Sequence, residues 1–331
     1  LRPRPWLAPL GALFGSAAAL RATLHKRRLL PARRLGGVVI SVGNLSVGGS
    51  GKTPVVSLLA RRLQTAGFRP AILSRGYGGT FAGGCLLVSD GRGPLVSAEL
   101  GGDEPVMLAR SLPGVLVAVG RRRDHAGAEL ERRFGPLVHI LDDGFQHLRL
   151  LRDLDVVCVD ASDLADRPLP AGRLRETPSA LARADLVLLS GGPASAPLPP
   201  RAEKVFEMTR RVRGFVDLSG AAHAAPLRPF LVSGIARPER FESDVRALAP
   251  AIAGHRAFTD HHRFSDEDVR EIQAQAAGHA ADAIVTTAKD AERLRGLDPR
   301  GLPLRILSID VEIADAERFF ARVLAAARRA A

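Results

Sequence analysis

The apolar positions of this chain come in short β-branched bursts, each ending on a small or charged residue. Residues 38–42 (VVISV) run into Gly43 and Asn44, and residues 70–74 (PAILS) into Arg75-Gly76-Tyr77-Gly78-Gly79. Residues 114–120 (GVLVAVG) precede a basic stretch, 137–141 (LVHIL) end on Asp142-Asp143, and bursts at 155–160 (DVVCVD) and 184–190 follow. Near-continuous apolar runs of this length mark strands buried on both faces, as in parallel sheets covered by helices. Helical patterns lie between them. Val55, Val56, Leu58, Leu59 and Leu63 share the spacing of one helix face. Gly101-Gly102-Asp103-Glu104-Pro105 opens another helix, and residues 121–133 form a basic one carrying Asp124 and His125. Residues 81–94 fit neither period and read as a hairpin or loop excursion. Strand and helix in alternation predict an α/β fold with a mainly parallel sheet.

Residues 191–200 (GGPASAPLPP) have linker composition. From Lys204 the texture changes. Residues 205–218 read as extended segments joining two domains. Strands are expected at 230–235, 283–287 and 305–311, and helices at 238–248, 265–277 and 314–329. The expected organisation is an N-terminal segment over 1–36, a core over 37–203 and a second, smaller α/β domain over 204–331. Residues 5–20 (PWLAPLGALFGSAAAL) carry no charge, and Arg21, Lys26, Arg27, Arg28, Arg33 and Arg34 follow. Sixteen residues fall short of the roughly 20 that span a bilayer. Three readings compete: a cleaved signal, with Ala17-Ala18-Ala19 as its end; a helix packed on the protein's own core; and a helix lying in a membrane interface. The last, with Trp6 and Phe14 inserted and the basic cluster on an anionic membrane surface, is preferred.

With 331 residues, 46% hydrophobic and 25% charged, the chain is globular. Its net charge of +12 comes almost wholly from arginine, because Lys26, Lys52, Lys204 and Lys289 are the only lysines. That bias runs through the whole protein and weakens the case for nucleic acid. No zinc finger or RNA-binding aromatic motif is present, so a nucleic-acid partner is not expected. Cys85 and Cys158 form no C-x-x-C pair and read as free thiols of a reducing compartment.

Chemistry enters where one of the four lysines falls. The first burst leads through Ser46-Val47-Gly48-Gly49-Ser50-Gly51 into Lys52-Thr53-Pro54 and a helix. Strand, glycine-rich loop, Lys-Thr, helix is the layout of a P-loop, whose amides and helix N-terminus cradle phosphates. Gly48, Gly49, Ser50, Gly51, Lys52, Thr53 and Pro54 are the expected ATP-binding residues. Lys52 reaches for the β/γ-phosphates and the Thr53 hydroxyl for Mg²⁺. Ser46 stands where the general pattern has glycine. Asp142-Asp143 after an apolar strand has the form of a Walker B site, with a carboxylate for Mg²⁺. Asp103 reads as a helix cap unless something else claims it. Residues 169–176 (LPAGRLRE) offer Arg173 and Arg175 for phosphate and Glu176 for a metal shell, or else surface salt bridges.

Eight stretches together resemble the tetraacyldisaccharide 4′-kinases. They are GNLSVGGSGKTP at 43–54, SRGYGG at 74–79, GDEP at 102–105, DDGFQHLRLLRDLDVVCVDA at 142–161, LPAGRLRE at 169–176, SGIARPERF at 233–241, DHHRFS at 260–265 and TTAKDAERL at 286–294. They stand in that family's order and cover about residues 37–295, and in that family Ser46 is no departure. The resemblance implies a P-loop NTPase-like kinase core and transfer of the ATP γ-phosphate to the 4′-hydroxyl of a lipid A disaccharide 1-phosphate. The product is lipid IV A, and the place is the cytoplasmic face of an inner membrane, with the protein peripheral or monotopic. It implies Asp103 as base, coupled to a histidine of Asp260-His261-His262, with His261 preferred although neighbours cannot be separated by sequence. Arg75, Gln146, His147 and Arg175 are the expected substrate-binding residues, and Thr53, Asp142, Asp143 and Glu176 the expected metal ligands. Three other classes compete, of which a non-catalytic membrane or nucleic-acid binder would explain the charge while leaving the P-loop idle. A regulatory GTPase wants Asn-Lys-x-Asp, which Thr287-Ala288-Lys289-Asp290 imitates poorly, and a metal phosphoesterase could claim Asp260-His261-His262 but has no use for a P-loop.

Overall fold

The computed structural model describes residues 5–48, 51–192, 202–295, 297 and 301–330. Gly49 and Ser50 of the expected phosphate loop, and residues 193–200 of the expected linker, lie outside the described residues.

Among the described residues thirteen strands form one continuous sheet. The first seven are β1 (Val38–Asn44), β2 (Pro70–Ser74), β3 (Leu86–Asp90), β4 (Leu116–Val119), β5 (Val138–Asp142), β6 (Leu154–Asp160) and β7 (Leu186–Ser190). β8 (Val205–Val216) follows, then β9 (Ala222–His223), β10 (Phe230–Ser233), β11 (Gly254–Ala257), β12 (Ile284–Thr287) and β13 (Leu304–Ile313). The order is β11-β10-β12-β13-β8-β7-β6-β1-β5-β2-β4-β3, with β9 beside β8. Every residue of β1, β2 and β4 is buried, as their unbroken apolar runs require. The expected excursion at 81–94 contains β3, an edge strand antiparallel to β4.

The helices are α1 (Ala8–Lys26), α2 (Lys52–Thr65), α3 (Ala98–Gly101), α4 (Asp103–Ser111), α5 (Arg123–Phe134), α6 (Pro238–Arg246), α7 (Asp266–Gly278), α8 (Ala288–Leu294) and α9 (Ala316–Ala327). Val55, Val56, Leu59 and Leu63 of α2 are buried in one core with Val106 and Leu108 of α4. Leu130 of α5 belongs to a second core with Leu73 and Leu141.

β8 joins the two halves. Its first residues pair in parallel with β7, and residues from Met208 onward pair antiparallel with β13. The chain end returns across this strand. Phe319, Phe320 and Val323 of α9 are buried in the same core as α2, and Phe319 meets Phe206 edge-on at 5.4 Å. β1 lies between β5 and β6, with connections leaving to both sides. In open α/β sheets a ligand crevice forms at such a switch point, beyond the carboxyl ends of the strands.

Candidate active site

The carboxyl ends of β1, β2 and β5 meet in that crevice. β1 delivers the phosphate loop and β5 delivers Asp142. The N-terminus of α2 carries no side-chain cap and no acidic residue in its first turn. Its backbone donors are therefore open to an anion, and the helix dipole favours one. Lys52 Nζ stands 3.3 Å from Asp143 Oδ1, and Arg175 Nη1 stands 2.7 Å from Asp143 Oδ2. Ser74 at the end of β2 donates to Asp142 Oδ2 at 3.1 Å. The buried Arg123 donates to the main-chain oxygens of both acids at 3.3 Å.

The two neighbouring carboxyls sit in different fields. Burial pushes the Asp142 carboxyl up, and the charge of Asp143 adds to it, against Lys52, Arg123 and the Ser74 hydroxyl. Burial acts on Asp143 in the same sense, but Lys52 and Arg175 outweigh it and bring its carboxyl down to about 2.

A second cluster faces this one, built from α4, α8 and the turn after β11. Asp103 opens α4 and is 3% exposed. His261 Nδ1 lies 3.5 Å from its Oδ2. Arg293 of α8 pairs with the same oxygen and also reaches His261 Nδ1 at 3.1 Å. Of the two adjacent histidines, the fold turns only His261 to Asp103. His262 bonds Asp268 at 3.0 Å and stacks on Phe258 at 4.4 Å. His261 is held at φ 61°, a left-handed conformation uncommon outside glycine. Its amide donates to the Gly234 carbonyl at 3.1 Å and helps keep it there. Gly78, at φ 80°, leaves the space that the pair occupies, because a Cβ there would stand 3.3 Å from His261 Nδ1 and 3.4 Å from Asp103 Oδ1.

Burial raises the Asp103 carboxyl, yet the hydrogen bond with His261 and the charge of Arg293 leave it below its ordinary value. The same hydrogen bond raises His261, against burial and Arg293. Lys289 of α8, paired with Glu104, is lowered by burial and feels both Asp103 and Lys52, so the two clusters share one cleft. The C-terminal half also comes close to the phosphate loop itself. Met208 Cε lies 3.4 Å from where a Cβ on Gly51 would be, and Arg237 lies 4.0 Å from the same point on Gly48.

The remaining expected residues lie on the other flank. Gln146 donates to the Asn44 carbonyl at 2.9 Å, and Arg175 reaches Gln146 Oε1 at 3.5 Å. The buried Nε2 of His147 has no hydrogen-bond partner among the described residues. Arg75 leans over Tyr77 and bonds its hydroxyl at 2.9 Å. Glu176, one of the expected metal ligands, takes the other expected role, a salt bridge, in this structure. Both its oxygens are bonded by Arg183 at 2.7 Å, so its charge is already matched. It lines a cavity of about 460 Å³ instead, together with Phe14, Ala17, Leu148, Leu169 and Arg175. α1 forms one wall of this cavity. Its Gly11 and Gly15 are buried against Pro168, Ala171 and Thr177.

The profile of the tetraacyldisaccharide-1-P 4′-kinases matches residues 3–328. The chain belongs to this family. It is 42% identical over 347 residues to the tetraacyldisaccharide 4′-kinase of Anaeromyxobacter dehalogenans strain 2CP-C, covering 94% of this chain and 90% of that protein. To the enzyme of the same name from Geobacter sulfurreducens it is 41% identical over 325 residues, covering 93% and 89%. Its structure is similar to that of LpxK from Aquifex aeolicus in complex with ATP, with a TM-score of 0.79 and 31% identity over 97% of this chain and 98% of that one.

Several residues of this family member's cleft were not singled out by sequence reasoning: Arg123, Ser74, Glu104, Asp290 and Arg293. A signal for the last two was present. Lys289, Asp290 and Arg293 occupy one helical turn of a quoted motif, which is a dense set of charges for a seven-residue helix.

Proposed function

We propose that this 4′-kinase family member transfers the γ-phosphate of ATP to the 4′-hydroxyl of a tetraacyldisaccharide 1-phosphate, giving lipid IV A. The observation that carries the reading is the single cleft in which a lysine-bearing phosphate loop faces a buried carboxylate paired with an exposed imidazole. Phosphoryl transfer asks for positioning and charge neutralisation more than for covalent chemistry. The loop amides and Lys52 would hold the β/γ-phosphates. Asp103 would align the acceptor hydroxyl and take its proton, with His261 sharing that proton. A carboxylate held below its ordinary range suits a loose transition state, in which the proton leaves late. Gln146, His147, Arg175 and Arg75 would line the acceptor side.

Magnesium fits the donor set. Two adjacent carboxylates, one pushed up by burial and by its neighbour, form a site that a divalent cation relieves. Thr53, Asp142 and Asp143 would hold it. No group of three His, Cys, Asp or Glu side chains suited to a metal exists among the described residues, so phosphate oxygens would complete the shell. The ion would supply charge neutralisation at the phosphates.

No helix among the described residues is long and apolar enough to cross a membrane. α1 instead leaves Leu10, Leu13, Phe14 and Leu20 exposed, as the turn before it leaves Trp6, while its glycines dock on the protein. That arrangement supports an interfacial helix on the cytoplasmic face of the inner membrane, with an acyl chain in the cavity beneath it and the sugar toward Arg175. The two halves, 37–203 and 204–331, would close over the acceptor, with β8 as the strand they share.

The test is transfer from labelled ATP to lipid A disaccharide 1-phosphate in detergent micelles. Lys52→Ala should lose about 10²–10³ in rate, as expected for removing a preorganised charge contact. Near wild-type turnover of that variant at saturating ATP would remove the phosphate-loop assignment.

A further inference from the structure

Arg293 has one guanidinium and four partners. Nη1 bonds Asp290 Oδ1 at 3.0 Å and the Gly234 carbonyl at 3.1 Å. Nη2 takes Asp103 and His261 Nδ1. The side chain is 9% exposed. Asp290 is itself fixed, since Oδ2 accepts from the Gly234 amide at 3.0 Å and from the Thr287 hydroxyl at 2.7 Å. The arginine fork is therefore set before any substrate arrives, and it points at the Asp103–His261 pair.

The geometry at His261 Nδ1 admits two exclusive arrangements. A bare Nδ1 accepts from Arg293 at 3.1 Å, and the ring then carries its proton on Nε2. A protonated Nδ1 turns to Asp103 Oδ2 at 3.5 Å and places a second cation beside the guanidinium. The other charges near the pair are Asp260, with Oδ1 3.9 Å from His261 Nε2, and Lys289 with its partner Glu104. Asp103, through its hydrogen bond and its charge, and Asp260 favour the imidazolium and raise the ring, while burial and Arg293 hold that rise back.

We infer that Arg293 is a positioning residue that opposes protonation of the Asp103–His261 pair, lowering the pH above which the histidine gives up its Nδ1 proton and the pair can take the proton of the acceptor hydroxyl. The inference rests on the kinase reading above. In the transfer the acceptor O–H bond breaks as the new O–P bond forms, the β–γ bridging P–O bond breaks, and ADP leaves. The hydroxyl proton passes to the pair, which can accept it only if it is vacant at the working pH. A positive charge beside both groups lowers the pKa of each, whatever their starting values.

The experiment is a histidine-labelled NMR titration of the full chain, alongside the pH dependence of kcat. In Arg293→Gln the loss of the cation should raise the His261 titration by about one unit and carry the acid limb of kcat upward with it. Arg293→Lys keeps the charge and should keep both near wild type. If Arg293→Gln does not fold, the double variant Arg293→Gln/Asp290→Asn removes the buried ion pair as a unit. It should show the same upward shift, reduced by the loss of Asp290. An unchanged His261 titration in the folded variant, with turnover lowered equally at every pH, overturns the inference and leaves Arg293 a structural clamp. The NMR arm uses no substrate, so it decides the role of Arg293 even if the kinase assay fails.

Discussion

Asp142 and Asp143 are neighbours in sequence and opposites in chemistry, because the chain turns between them. Asp142 ends a buried strand, whereas Asp143 sits at φ 53° on the turn and faces two cations. His147, a few residues on, shows the same dependence on surroundings. Burial, followed by the charge of Arg123, brings its ring from 6.5 down to about 4. It should therefore stay neutral from physiological pH down toward 4, as an NMR titration of its ring would show. The sign for stability follows. Between the ordinary 6.5 and about 4 the unfolded chain takes up a proton that the folded chain refuses, so stability falls as pH falls through that window. Replacing His147 by Gln should flatten this part of the stability–pH curve in chemical denaturation. A wild-type ring titrating at its ordinary value would contradict the burial argument.

At the scale of elements, α1 shows how one helix can serve two surfaces. Small residues on one face let it lie close to the loop around Pro168, and a Cβ on Gly11 would stand 2.9 Å from the Pro168 carbonyl and 3.1 Å from Ala171 Cβ. The other face exposes Leu13 at 68%, and the turn before the helix exposes Trp6 at 75%. Removing residues 1–20 should weaken co-sedimentation with anionic vesicles and raise the KM for lipid, with the KM for ATP little changed. The basic residues after it should leave some salt-sensitive binding, since each is worth about 1 kcal/mol near an anionic surface. Equal vesicle binding and equal lipid KM would sink the interfacial reading. Gly11→Leu should reproduce the rise in lipid KM by displacing the helix from its seat while keeping its apolar face.

For the whole molecule, the return of α9 matters most. The expected division after residue 203 places this helix with the C-terminal half. In the structure its aromatic residues are buried in one core with α2 and β1, and β13 leads into it from the far side of β8. Phe319→Ala should therefore cost about 3–5 kcal/mol, the usual range for emptying a buried aromatic site. The loss should speed hydrogen exchange in α2, the helix that begins with Lys52. Faster exchange confined to residues beyond 204 would show that α9 does not support the phosphate-loop half. Where α8 meets α4, the contact between the halves is charged. Arg110 bonds both oxygens of Glu292, Lys289 pairs with Glu104, and Arg293 pairs with Asp103.

By itself the sequence determined what is local. The apolar bursts became β1, β2, β4, β5, β6 and β7 because burial on both faces leaves no room for polar residues in a parallel strand. The motif at Lys52 was legible because a phosphate loop is a contiguous piece of chain with its own composition. Extended pairing over 205–218 was legible too. What the sequence left open depends on which distant segments the sheet brings side by side. Asp103 and Arg293 are 190 positions apart, and no spacing rule joins them. The choice of His261 over its neighbour came from the turn after β11, a short strand that its polar sequence conceals. For Glu176 the sequence left metal ligand and salt bridge open, and the fold sets Arg183 on it. Tertiary structure decided these because a charged side chain takes its role from its counter-charge and its burial, and both are supplied by parts of the chain far from it in sequence.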